Sequence, residues 1–246
     1  MGASKSRSGL LMDYAQTAKH DHVEKVKDLF AESILVIIDG KITPNITPLW
    51  TSDWLFLPDD KDNRKCNFYI DIVFQKHGFI HSRCHECWKV VAKPKTLKEL
   101  FIVRDVQWEL GFKGKCGVDK RNYTFGAYGA YWYNDSLEEG FERLAIVREA
   151  LKDTDIPVTL KRGCTEFEAQ YPASSQWQIT DEQKEIEAEL EEIYNFPVSL
   201  FAMTEYVKLQ VMRRWVEYAH TIGDPTCFEY SSKPLGVISQ NYEMEE

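Results

Sequence analysis

The residues best suited to chemistry in this chain stand at Cys84-His85-Glu86-Cys87. A two-residue gap lets one tight turn aim two sulfurs at a single metal ion. Such a turn needs two further ligands, and the sequence offers Cys66 and Cys116, each opening an expected strand. The expected site is therefore a closed tetrathiolate of Cys66, Cys84, Cys87 and Cys116, with Cys164, His81 and His85 in reserve. His77 crowds the same turn, whereas His85 falls inside the gap, where a side chain more often points away. Zinc is the expected ion, and an iron–sulfur cluster accepts the same four thiolates. Against this, the partner spacing fits none of the common zinc patterns. Cys66, Cys116 and Cys164 read equally well as small apolar core residues. A redox dithiol is disfavoured, because an apolar strand follows the pair instead of a helix N-terminus that would lower a thiol pKa.

A second stretch, Arg121–Asp135, reads RNYTFGAYGAYWYND. In an extended strand Tyr123, Phe125, Gly129, Tyr131 and Tyr133 face one way, and Tyr128, Ala130 and Trp132 the other. RNA-recognition-motif proteins carry a basic-aromatic signature on the corresponding strand, whose rings stack on bases. Arg121, Tyr123, Phe125 and Tyr128 fit that signature, while Asn122, Thr124 and Gly126 depart from it. Those four are the nucleic-acid candidates. The plainer interpretation is favoured, since aromatic residues in strands usually pack under helices.

Leu160–Glu168 gathers charged residues around Gly163 after a strand. Glu166 is a candidate general base, with Lys161 or Arg162 as an anion clamp. A solvated turn with surface ion pairs is the commoner outcome. Phosphate-loop, nucleophile-elbow, HExxH and dinucleotide-glycine motifs are missing from the sequence.

Positioning these residues falls to elements with clear local signals. Thr96 with Glu99, Ser136 with Glu139, and Thr180 with Gln183 have the spacing of capping boxes and predict three helix starts. A fourth helix is expected over Thr204–Thr221, stopped by Gly223. Strands are expected at Ile34–Ile38, Asn67–Phe74, Trp88–Ala92, Gly117–Tyr123, Phe125–Tyr133 and Val158–Lys161. From Trp88 onward the order strand, helix, two strands, helix, strand is the split βαβ pattern of ferredoxin-like folds. The fold class is thus α+β, a central ferredoxin-like antiparallel sheet with flanking helices. Three regions follow: an N-terminal helix-strand unit and irregular connection (1–65), a cysteine-containing core (66–170), and a helical C-terminal region with a tail (171–246). Thr43–Arg64 reads as an irregular connection and Gln170–Gln178 as a linker.

Composition bounds the rest. A chain of 246 residues, 43% hydrophobic and 13% aromatic, is long and apolar enough to bury a core. A net charge of −9 opposes nonspecific attraction to nucleic acid or anionic lipid. No apolar run reaches the ~20 residues of a membrane helix. Six sparse cysteines fit a reducing, cytoplasmic setting. Gly2 and Ser6 have acylation spacing, but a flexible Ser/Lys/Arg start is the preferred account. Two functions remain: an interaction protein with cysteine-held zinc, contacting protein or nucleic acid through its aromatic strand, or a metal- or thiolate-dependent enzyme near Cys84, Cys87, Cys116, Cys164 and Glu166.

Overall fold

A computed structural model describes residues 22–45, 52–57, 65–171, 173–195 and 203–232. The Gly2 pattern, most of the Thr43–Arg64 connection and the tail after Pro234 lie outside the described residues. In chain order the elements are α1 (His22–Lys25), α2 (Lys27–Ala31), β1 (Leu35–Ile38), β2 (Lys41–Pro44), β3 (Trp54–Leu57), α3 (Lys65–Asn67), α4 (Gln75–His77), α5 (Ser82–His85) and β4 (Trp88–Ala92). There follow α6 (Leu97–Leu110), β5 (Gly114–Val118), β6 (Tyr128–Asn134), α7 (Leu137–Ala150), β7 (Val158–Arg162), α8 (Thr165–Glu168), α9 (Asp181–Ile193) and α10 (Glu205–Ile222). The class is α+β, and both sheets are antiparallel. The described residues form two compact units with interleaved segments. One is drawn from 1–47, 61–86 and 163–200, the other from 48–60, 87–162 and 201–246.

In the first unit β1 and β2 form a hairpin around Asp39 and Gly40, with φ of 51° and 74°. Positive φ at both central residues gives the turn whose twist matches the strands it joins. The expected strand Asn67–Phe74 is instead helical: α3 continues through wide π-type turns over Phe68–Phe74 into α4, and Gly78 stops it in the left-handed region. Helical spacing wins because Phe68, Ile72 and Val73 all enter one core with Val26, Leu35, Ile42 and Leu190. Strand alternation would have turned Val73 away from Phe68 and Ile72. The stretch read as a linker carries Trp177, which is buried against Phe167, their ring centroids 5.7 Å apart. A Cβ on Gly163 would lie 2.5 Å from the Trp177 ring, so this indole requires the glycine.

The second unit is a five-stranded sheet in the order β3-β5-β6-β4-β7. Thr96, Ser136 and Thr204 each accept a hydrogen bond from a backbone N–H three residues on, and so begin α6, α7 and α10 where the sequence signals them. These helices bury Leu100, Val103, Leu144, Val147, Val211 and Trp215 against one sheet face. β5 begins three residues earlier than expected and β6 three later, leaving 119–127 as the loop between them. Asp224, just beyond α10, ties this side together. Its carboxylate accepts from the Leu97 N–H at 2.6 Å and the Tyr128 hydroxyl at 2.8 Å, and its other oxygen from Thr226. Burial would raise the Asp224 pKa, but these donors outweigh it and hold it below the ordinary value. Asp224→Ala is expected to lower the unfolding free energy in urea titrations by about 2–4 kcal/mol, since it strands a helix N–H and a buried hydroxyl. Tyr128→Phe should cost about 1 kcal/mol. An Asp224→Ala loss under about 0.5 kcal/mol, typical of an indifferent surface site, would contradict the role given to this carboxylate.

Candidate functional site

The sheet face opposite the helices of the second unit carries a group of basic and aromatic side chains. Register assigns its members, because directly paired residues share a face. Lys89 pairs with Tyr133 and Lys161, Val91 with Tyr131, Lys115 with Tyr131 and Phe56, and Gly129 with Gly117. Lys89, Lys115 and Lys161 thus share one face with Trp54, Tyr131 and Tyr133, and Lys93 continues it just past β4. The face runs across all five strands.

Tyr131 is its hub. The Lys93 and Lys115 ammonium groups each stand 5.6 Å from its ring centroid, and Trp54 meets it edge-on at 5.7 Å. Lys115 also lies 4.3 Å above the Trp54 ring, and Lys89 lies 5.6 Å from the Tyr133 ring. Aromatic faces attract such cations through the ring quadrupole. The Tyr131 ring lies back along its own strand over Gly129, where a Cβ would come within 3.2 Å of it. Its hydroxyl donates to Asp119 at 3.0 Å, and Lys93 and Arg121 donate to the same hydroxyl at 3.4 and 3.2 Å.

Asp119 closes this network. Its side chain is fully buried and is bound by Arg121 through Nε and Nη2, both at 2.8 Å, with Lys93 at 3.6 Å. Burial alone would raise its pKa, but Arg121, Lys93 and Tyr131 outweigh that and bring it down to about 2. The Lys93 pKa is also lowered: burial disfavours its charged form, and Asp119 offsets part of that. The Asp119 N–H donates to Ala127 O at 2.8 Å and closes the neck of the loop. Beyond that neck Phe125 is 94% exposed and Tyr123 44%, with Arg121 over the Tyr123 ring at 5.7 Å. Gly126, at φ 78°, lets the chain re-enter β6. Of the four nucleic-acid candidates, Arg121, Tyr123 and Phe125 therefore lie in or beside an exposed loop. Tyr128 is fully buried on the helix face and bound to Asp224, so its ring is not offered to a ligand. Sequence reasoning passed over Asp119, Lys89, Lys93, Lys115 and Tyr131 as functional residues. The alternation Lys89-Val90-Val91-Ala92-Lys93 was the signal that pointed to this face.

The thiols have different settings. Cys116 is fully buried in the helix-side core of the second unit, and burial pushes its thiol pKa far up. It is a core residue, neither an accessible ligand nor a nucleophile. Cys87, at the entry to β4, is half-buried. In the first unit Cys84 is buried with Phe74, Ile80, Phe167 and Trp177, and Cys164 packs against that cluster. Tyr69 also borders it, and its pKa is raised by burial and by the neighbouring Cys84, Glu191 and Cys66 groups. His81 caps α5, accepting from the Arg83 N–H at Nδ1, while its Nε2 lies 3.4 Å from Glu191. Burial lowers the His81 pKa to about 4. His85 is buried 6.0 Å from the Trp177 ring, centroid to centroid. Among the described residues no group of three or more His, Cys, Asp or Glu side chains is arranged to hold a metal ion. Lys161 and Arg162 alternate to opposite faces of β7, with Arg162 lying over Trp88. Glu166 belongs to the first unit, where its charge adds to desolvation in raising the pKa of Asp71.

No protein-family model, curated protein or solved structure matches this chain. Among the described residues no helix is long and apolar enough to cross a membrane.

The depressed pKa of Asp119 sets a pH dependence. Its stabilising effect is complete above the ordinary value of 3.8 and is lost as pH falls through about 2. Urea titrations between those limits are expected to show about 2 kcal/mol of stability disappearing, and Asp119→Asn should remove that slope. An unchanged acid limb in Asp119→Asn would contradict an ionised, bound carboxylate.

Proposed function

We propose that the second unit is a single-stranded nucleic-acid-binding module with a ferredoxin-like arrangement. The topology supports the architecture: β4, α6, β5, β6, α7 and β7 follow one another in the split βαβ order, and their strands lie as β7-β4-β6-β5. One observation carries the functional reading. On a chain of net charge −9, Lys93, Lys115, Lys161, Arg121 and the buried Lys89 collect at one sheet face among aromatic rings, with the buried carboxylate of Asp119 between Lys93 and Arg121. Neutralising phosphates needs such local positive charge, and sequence-tolerant binding needs rings on which bases stack. Trp54 and Tyr133 are half-buried, and Tyr123 and Phe125 are exposed, which makes them the stacking surfaces. Tyr131, 5% exposed, serves to hold the lysines in place. The same face of RNA-recognition-motif proteins stacks bases on strand aromatics.

The test is fluorescence anisotropy with short labelled oligouridine and oligothymidine. Wild-type protein is expected to bind more weakly as salt rises from about 50 to about 200 mM. Phe125→Ala combined with Tyr123→Ala should weaken binding by about tenfold or more, from a stacking loss of 1–3 kcal/mol per base. No anisotropy change at low salt would overturn the proposal.

A second reading concerns the thiols of the first unit. Cys84 and Cys164 share one small core, and Cys66 and Cys84 both act on Tyr69. Zinc bound by Cys66, Cys84 and Cys164, with His81 or His85 as the nitrogen donor, would require these side chains to draw together around the ion, since among the described residues no three of them are arranged to hold one. Zinc would be a structural ion there, adding to the stability of a small core. Elemental analysis of purified protein should then find about one zinc per chain without a visible absorption band, and Cys84→Ser should abolish it. Metal-free protein that remains folded would end this reading.

A further inference from the structure

On the helix side of the second unit, away from the basic sheet face, a groove of about 490 Å³ runs between α6 and α10. Phe101, Met212 and the buried Val216 form its floor, all packed on the core. Leu209 and Tyr230 form its rim and are 59% and 44% exposed. Phe101 lies against Tyr230 with ring centroids 4.5 Å apart, which holds Tyr230 to α6. Arg104 lies 5.1 Å from the Phe101 centroid and donates to the Met212 sulfur at 3.1 Å. Asp105 and Glu217 already pair with Arg104 and Arg213, so the groove offers a ligand apolar surface rather than charge.

Tyr230 is also where the chain departs, since the described residues end at 232. The sequence that follows is KPLGVISQNYEMEE, with Leu235, Val237 and Ile238 shortly after Tyr230. An extended chain covers about 3.3–3.6 Å per residue, and Leu209 to Val216 spans roughly 10 Å along α10. These three residues therefore reach the whole floor. A segment tethered so closely has an effective concentration of about millimolar at the groove, so burial of a few apolar side chains suffices to seat it. Any ligand in trans has to outcompete it. We propose that Leu235, Val237 and Ile238, within this chain's own segment 233–246, dock in the groove between α6 and α10 and close it to other ligands.

The test places the photocrosslinking residue benzoylphenylalanine in place of Ile238 in the full chain. Irradiation is expected to join it to peptides containing 101–105 or 209–216, in a yield independent of protein concentration. Leu209→Asp, at an exposed position, should cut that yield about tenfold, the effect of losing a contact worth one decade in its equilibrium constant. A second readout is oxidation of Met212 by dilute hydrogen peroxide, followed by mass spectrometry. Leu235→Asp combined with Ile238→Asp should speed Met212 oxidation by about the same tenfold, while the buried Met203, as internal control, is unchanged. Crosslinks to other regions, or only concentration-dependent crosslinks between copies, overturn the proposal. So does an unaltered Met212 rate in the double variant. If Leu209→Asp does not fold, the Met212 rate decides.

Discussion

Strand β6 has to satisfy two environments at once, and its two-residue period is the constraint around which the second unit is built. Tyr128, Ala130 and Trp132 enter the helix-side core, while Gly129, Tyr131 and Tyr133 lie on the other face. A slip of one residue would exchange the two sets. Each face is pinned by a tyrosine hydroxyl bound to an aspartate: Tyr128 to Asp224 on one side, Tyr131 to Asp119 on the other. The first bond joins the sheet to the start of α6 and the end of α10. The second joins it to the loop and to the basic side chains. Burying these carboxylates is tolerable because each accepts several hydrogen bonds, which offsets the loss of water.

The same constraint explains why the sheet face differs from a solvated surface. Lys89 is buried, and Lys93 and Lys115 keep their ammonium groups near aromatic rings. A desolvated ammonium interacts more strongly with rings and anions than a hydrated one. The glycine at 129 belongs to this arrangement, since the Tyr131 ring occupies the space a side chain would take. Charge, ring and missing Cβ form one device, assembled from strands distant in sequence.

How much of this was legible in the sequence follows from the range of each interaction. Helix starts at Thr96, Ser136, Thr180 and Thr204 are set by contacts three residues apart, and they stand where the spacing put them. β4 and β7 were legible from β-branched runs. The stretch Asn67–Phe74 was not, because a short apolar run fits either period until its tertiary partners are known. The β1–β2 hairpin was signalled by Asp39-Gly40 and passed over, as was β3, whose Trp54-Leu55-Phe56-Leu57 lies in a stretch rich in turn residues. At the site, Arg121, Tyr123 and Phe125 were visible as a pattern, while the lysines that accompany them were not. Lys89, Lys115 and Lys161 become neighbours only through strand register, which no local spacing encodes. Cys116 shows the converse: its position at a strand start suggested a ligand, and its burial makes it part of the core.

The interleaving of the two units bears on how the chain is made. Ile42 in β2 bridges to Tyr194, more than half the chain away, and the second unit receives α10 only after the first unit has been completed. On a ribosome adding about 5–20 residues per second, β2 therefore waits roughly ten seconds or more for its partner. During that interval the apolar faces of β1, β2 and the central sheet lack their final cover. Neither unit can therefore be excised as one continuous fragment.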